Sequence, residues 1–133
     1  MAKNIRVVCA IIIDDDKNIC IARRCDEALY GLWEFPGGKV EKCESDEQAL
    51  IREIKEELEV TIEIKNFCME HVYSFPTIDI TLASYLCKSS EKVTHSLVHE
   101  KILYLPIEAL KSYSFAPPDI KIVDYIIKNS NNL

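Results

Sequence analysis

Residues 38–60 read Gly38-Lys39-Val40-Glu41-Lys42-Cys43-Glu44-Ser45-Asp46-Glu47-Gln48-Ala49-Leu50-Ile51-Arg52-Glu53-Ile54-Lys55-Glu56-Glu57-Leu58-Glu59-Val60. A helix is predicted to start at Ser45: Ser45 with Gln48 three residues on is a capping box, and Asp46 and Glu47 suit the positive end of a helix dipole. Leu50, Ile51, Ile54 and Leu58 recur at helical spacing, which predicts one buried stripe. Beside it, Glu53, Glu56 and Glu57 fall within an arc of roughly 100°. A solvated acidic face is the ordinary fate of such residues. Two costs oppose it here. Glu56 and Glu57 sit in the last turn, where the dipole disfavours anions by about 0.3–1 kcal/mol each. Carboxylates about 4 Å apart also repel by about 1 kcal/mol in water. A hard divalent cation reverses both costs, because it takes oxygen ligands. Spacing alone leaves the two readings level.

Working outward, Pro36-Gly37-Gly38 breaks any regular element and lets the backbone approach another group closely; it holds two of the chain's 3 glycines. Upstream, Val7–Asp14 and Ile19–Arg23 are β-rich runs around Asp15-Asp16-Lys17-Asn18, which predicts a hairpin, followed by a polar loop over Asp26–Gly31. Downstream, Val60–Lys65 alternates as a half-buried strand does, and His71–Phe75 and Ile78–Cys87 read as two more strands around Pro76-Thr77. Lys88–His99 is a polar loop, Lys101–Leu105 a short strand and Ile107–Lys111 one helical turn. Pro117-Pro118 opens a last helix whose Ile120, Val123, Ile126 and Ile127 face inward. Strands dominate, and two principal helices cover the sheet.

The 133 residues suit one domain, and 48% hydrophobic with 29% charged residues argues against disorder. The longest apolar run, Val7–Ile13, is far short of the roughly 20 residues a membrane span needs. Met1–Arg6 leads straight into it without a cleavage site, so it reads as the first strand and no secretory signal. With 16 basic against 22 acidic residues and a net charge of -6, no basic stripe exists for long nucleic acid. The 6 cysteines show no CxxC and several lie in apolar runs, which points to reduced structural thiols in a cytoplasmic protein. His71, His95 and His99 have no Ser or Cys partner at an interpretable spacing and read as structural or solvated.

Gly38, Glu44 after five residues, and Arg52-Glu53-Ile54-Lys55-Glu56-Glu57 after seven more resemble the Nudix box, with Val60 also matching. Glu59 departs from it, standing where that family has a glycine, and Cys43 stands where close relatives often carry glycine. If the helix ends at Glu59 in a left-handed residue, Glu costs about 1 kcal/mol more there than Gly. Leu32–Glu41, Phe75-Pro76, Ile80-Thr81-Leu82 and Phe115–Asp119 resemble the MutT-like branch, whose members cleave nucleoside triphosphates.

The resemblance implies an α+β Nudix fold, an α/β/α sandwich around a mixed sheet, formed by residues 1–133 as a single domain. It implies Mg²⁺-dependent hydrolysis (Mn²⁺ can substitute) of a nucleoside triphosphate to the monophosphate and pyrophosphate. The substrate would be an oxidised purine such as 8-oxo-dGTP or a pyrimidine triphosphate such as CTP. Two alternatives stay open: hydrolysis of another nucleoside diphosphate derivative, such as ADP-ribose or a dinucleoside polyphosphate, and nucleotide sensing without turnover. By the same resemblance, Glu53, Glu56, Glu57 and the Gly37 carbonyl hold the cation, and Glu100 adds a further acidic ligand. Glu53 acts instead, or also, as general base, and Arg52 orients Glu53 and Glu44. Arg23 contacts the substrate, although its neighbour Arg24 is equally basic; Glu34, Phe35, Phe75 and Asp119 complete that set. The two phenylalanines pack against the base and Asp119 reads its edge. The expected partner is a small nucleotide, with no membrane, and the protein is a monomer or homodimer.

Overall fold

A computed structural model describes residues 3–26 and 29–133. The apolar run near the N-terminus becomes β1 (Lys3–Ile12), which sits inside a four-stranded sheet. Its neighbours are β4 (Gly37–Lys39), antiparallel to it, and β6 (Ile78–Ser89), parallel to it. β5 (Ile62–Phe75) pairs antiparallel with β6 and forms the far edge. A second, antiparallel sheet has the order β3-β2-β7: β2 (Asn18–Arg23) lies between β3 (Trp33–Glu34) and β7 (Lys101–Pro106).

Because β1 is covered on both faces, its side chains alternate between two cores. Cys9 and Ile11 point into one, with Ile13 just beyond the strand, Ile19, Ile21, Phe35, Leu82 and α2 (Ile120–Lys128). Val8, Ala10 and Ile12 point into the other, with Leu50, Ile54 and Leu58 of α1 (Asp46–Leu58). The two helices therefore cover opposite faces of a mixed sheet, in the layering expected of the α+β fold. Among the described residues no helix is long and apolar enough to cross a membrane.

Four local expectations change. The hairpin between the first two runs is not a ladder: Asp14–Asn18 does turn, with Asp14 Oδ1 accepting from the Asp16 and Asn18 amides, but only Ile13↔Ile19 bridges. The chain uses this turn to leave one sheet and enter the other. The strands expected over Val60–Lys65 and His71–Phe75 are one continuous β5, whose register slips at Ile64/Asn66 and Phe67/Met69 and so breaks the alternation. Ile51 is 42% exposed, because it lies about 100° around α1 from Leu50, beyond the face that Leu50, Ile54 and Leu58 bury. Ile120 is 51% exposed, since α2 buries the face carrying Ile122, Val123 and Ile126. Of the polar loop expected over Asp26–Gly31, Glu27 and Ala28 lie outside the described residues, as do Met1 and Ala2 of the expected first strand.

α1 starts and stops as its sequence dictates. The Ser45 hydroxyl accepts from the Gln48 amide and the Gln48 side chain accepts from the Ser45 amide. At the other end Glu59 is left-handed, at φ 59° and ψ 31°, and its amide donates to the Lys55 carbonyl. Cys43, the other departure from the glycine pattern, has φ 68°. Asp46 ties the first turn to the sheet by accepting two bonds from Arg6, at 2.8 and 2.7 Å, and one from the Tyr85 hydroxyl at 2.7 Å.

Candidate active site

The two glycines after Pro36 bring α1 against β4. A Cβ on Gly37 would lie 2.0 Å from the Val8 carbonyl oxygen, so only glycine lets this strand sit on β1. A Cβ on Gly38 would lie 2.3 Å from the Glu53 Cδ, so the Glu53 carboxyl occupies the space a side chain would fill. Glu57 lies only about 20° around the helix from Leu50, which draws it toward the core. Its carboxyl is held above the usual range, first by burial and then by its hydrogen bond to Glu53.

Arg52 sits among the other carboxylates. It reaches both oxygens of Glu44 at 2.6 and 2.9 Å, Glu53 at 2.9 Å, Glu56 at 3.3 Å and the Lys39 carbonyl at 3.2 Å. Glu44, which also accepts from the Glu41 amide, is pushed down to about 2, chiefly by Arg52. Glu56 is the outlier, mostly exposed and turned to Arg52. Among the described residues no three Asp, Glu, His or Cys side chains form a ready-made cation cage. Glu53, Glu57 and the Gly37 backbone nevertheless offer an all-oxygen set, and two carboxyls in mutual contact favour a proton or a cation between them.

Next to this group runs a cleft of about 330 Å³. Val7, Cys9, Phe35, Ile80, Leu82 and Pro118 form its apolar walls, and Asp119, Glu34, Arg24 and Lys39 are its polar groups. A second cavity shares Arg24, Glu34 and Gly37 with it and adds Glu57 and His99. Through those shared residues the two adjoin as a groove, with Asp119 lining one part and Glu57 of α1 the other. Phe35 is buried and stacked on Phe115, with centroids 5.4 Å apart. Asp119 is 6% exposed and accepts from the Phe35 amide at 2.9 Å. Burial, and secondarily the charge of Glu34, pushes it up to about 8. Its turn is fixed on two sides: the Ala116 amide donates to the Trp33 carbonyl and His71 Nε2 donates to the Pro118 carbonyl, both at 2.8 Å.

Three expected site residues are placed elsewhere. Arg23 is paired with Glu100 and lies over the Trp33 ring, while Arg24 lines both cavities. The reason is register: Arg23 is still in the β2 ladder opposite Trp33 and Lys101, and Arg24 follows the end of the strand. Glu100 is taken by that same pair and lines neither cavity. Phe75 ends β5 with its ring against Tyr73, 4.9 Å away, and is not part of the cleft wall. His99, read from sequence as structural or solvated, has a side chain 4% exposed and donates from Nε2 to Glu34 at 2.8 Å. The signal available was Ser96, three residues earlier, which accepts from the Val98 and His99 amides.

Comparison with known proteins points to one family. The family model for the NUDIX domain matches residues 8–125. A CTP pyrophosphohydrolase of Escherichia coli K12 is 33% identical over 122 residues, covering 92% of this chain and 90% of that protein. An 8-oxo-dGTP diphosphatase of Proteus vulgaris is 36% identical over 85 residues, 63% of this chain and 76% of that one. The solution structure of the mismatch-repair protein MutT from a methicillin-resistant Staphylococcus aureus superposes with a TM-score of 0.76 at 36% identity, covering 97% of this chain and 99% of that one.

Proposed function

The chain belongs to the Nudix hydrolase family, and on that premise we propose that it hydrolyses a nucleoside triphosphate to the monophosphate and pyrophosphate with Mg²⁺, for which Mn²⁺ can substitute. The observation that carries this reading is a pair of adjoining cavities, in which an apolar end at Phe35 and Asp119 is linked through Arg24, Glu34 and Gly37 to Glu57 of α1. The relatives' names supply the two substrate classes: a pyrimidine triphosphate such as CTP, or an oxidised purine triphosphate such as 8-oxo-dGTP.

Glu53, Glu57 and the Gly37 carbonyl would hold the cation, and Glu56, now paired with Arg52, would join them as a further ligand. The hard-oxygen donors fit a hard divalent ion, and the side-chain-free space at Gly38 seats the Glu53 carboxyl among them. When bound, such an ion supplies charge neutralisation at the phosphate oxygens and eases deprotonation of the attacking water. Arg52 keeps Glu44 ionised and Glu53 aimed at β4. Glu53 is then placed either to accept the proton of the water or to serve as a ligand only. Between the two ends Arg24, paired with Glu34, offers a fixed cation to the nucleotide. Phe35 gives the base an apolar wall, and Asp119, protonated at neutral pH, offers a donor to its edge.

The test is a screen of common and oxidised nucleoside triphosphates with identification of products, with Mg²⁺ and with EDTA. Monophosphate and pyrophosphate in Mg²⁺ only is the expected result; full turnover in EDTA overturns it, and binding without turnover makes the protein a sensor. Glu57→Gln should lower kcat at least about 10²-fold, or about 2.7 kcal/mol.

A further inference from the structure

Four residues form one unbroken chain of hydrogen bonds from the loop before β7 into the groove. Ser96 Oγ is 2.8 Å from His99 Nδ1, and His99 Nε2 is 2.8 Å from one oxygen of Glu34. The other oxygen of Glu34 accepts from Arg24 at 2.7 Å. The donors can be assigned without reference to pH. Ser96 Oγ already accepts the Val98 and His99 amides, at 3.1 and 3.0 Å, so both its lone pairs are used. Its hydroxyl proton is then the only one available for the contact with Nδ1. That nitrogen is the acceptor, and the ring carries its proton on Nε2, aimed at Glu34.

Glu34 therefore has both oxygens committed, one to the loop and one to the guanidinium. Asp26 holds Arg24 from the other side with two bonds of 2.8 Å, so the guanidinium is clamped between two carboxylates in the groove. The loop is otherwise tied down near the groove by the Leu97 amide on the Glu57 carbonyl, the Glu100 amide on the Arg23 carbonyl and the Cys25 thiol on the Val98 carbonyl. Among the described residues, His99 is the loop side chain that hydrogen-bonds a charged group lining the groove. Both of its nitrogens are spent and its ring is buried beneath Glu34, so it does not exchange protons with a substrate.

We infer that His99 is a positioning residue: through Glu34 it sets the orientation of Arg24 toward the nucleotide and makes that orientation depend on the closed loop. The inference rests on the proposed reading that Arg24 faces the nucleotide. Removing His99 leaves one Glu34 oxygen without a partner in a half-buried site, free to draw Arg24 away.

The experiment is a double-mutant cycle in steady-state kinetics, with His99→Phe, His99→Gln and Arg24→Gln. His99→Phe should raise KM about 10-fold while kcat stays within about 3-fold, and His99→Gln, whose amide can still donate to Glu34, should recover most of it. In the Arg24→Gln background, His99→Phe should add less than about 2-fold. If Arg24→Gln costs activity but His99→Phe costs the same in both backgrounds, the relay is wrong and the groove stands. If Arg24→Gln changes nothing, the nucleotide reading of Arg24 is wrong instead. Ring ¹⁵N NMR of the unmutated protein gives an answer even where a variant fails to fold: the Nε2–H tautomer is expected, and the Nδ1–H tautomer overturns the relay.

Discussion

Asp119 is a carboxyl that folding removes from water, and its pH dependence follows from that. In the unfolded chain it titrates near 4, and in the fold burial raises it to about 8. Below about pH 4 both states hold the proton and the group contributes no slope. Between about 4 and 8 only the native state holds it, so stability falls as pH rises, and the loss is complete above about 8. Asp119→Asn cannot ionise. Its stability difference between pH 5 and pH 8, by urea unfolding, should be smaller than the wild type's by on the order of a few kcal/mol; parallel slopes would disprove the buried, protonated carboxyl. Glu59 carries a different local cost. Its left-handed backbone favours glycine, yet its carboxylate also meets His95 at 2.8 Å, with both side chains more than half exposed. Relief of about 1 kcal/mol therefore competes with loss of an exposed pair contributing roughly 0.2–1 kcal/mol. Glu59→Gly should stabilise by about 0.5 kcal/mol alone and about 1 kcal/mol when His95 is already Ala, measured as the shift in ΔG of unfolding. A loss in the His95→Ala background would mean that the left-handed residue is not strained.

At the scale of the element, α1 joins a well-capped N-terminus to a C-terminal half that gathers carboxylates against its own dipole. Arg52 makes this tolerable by bridging Glu44, Glu53 and Glu56. Lysine has the charge but not the planar fork, so it cannot serve Glu44 through two nitrogens and still reach Glu53. Arg52→Lys should lower kcat about 10–100-fold, and Glu44, followed by NMR, should titrate higher than in the unmutated protein, because Arg52 is the chief cause that pushes it down. Unchanged kcat would reduce Arg52 to a surface ion pair. This helix was also the most legible element, because its cap, its apolar spacing and its end are all written within a few residues of one another. Strand pairing was not. The two register slips of β5 hid one strand as two, and the turn at Asp14–Asn18 reads as a hairpin although its arms belong to different sheets. In the candidate site, the sequence pattern alone brings the box residues and Asp119 into consideration. That Arg24 lines the groove while Arg23 does not depends on where the β2 ladder stops, and the contact of His99 with Glu34 depends on a polar loop folding back over it.

The whole molecule is organised by β1, whose consecutive residues serve different cores. Ile11 and Ile12 are both fully buried, one facing α2 and the other facing α1. Ile11→Ala and Ile12→Ala should each cost about 2–5 kcal/mol in unfolding free energy. A cost below about 1 kcal/mol for Ile12→Ala would mean that α1, and the carboxyls on it, is not held by this core. The parallel pairing of β1 with β6 has a further consequence, for the order of events during synthesis. Every partner in that ladder, from Lys3↔Ile78 to Ile12↔Cys87, lies 75 positions further along the chain. The first strand made must wait for one of the last, and until then its Val, Ile and Cys side chains and the backbone edge that β6 covers are open. Local pieces such as the β5–β6 hairpin and α1 can form early, but the closure that builds both cores cannot, because the loop entropy comes due before any contact offsets it. A ribosome-bound chain ending before Cys87 should therefore be cleaved by protease within residues 3–12, and one extended past β7 and α2 should resist.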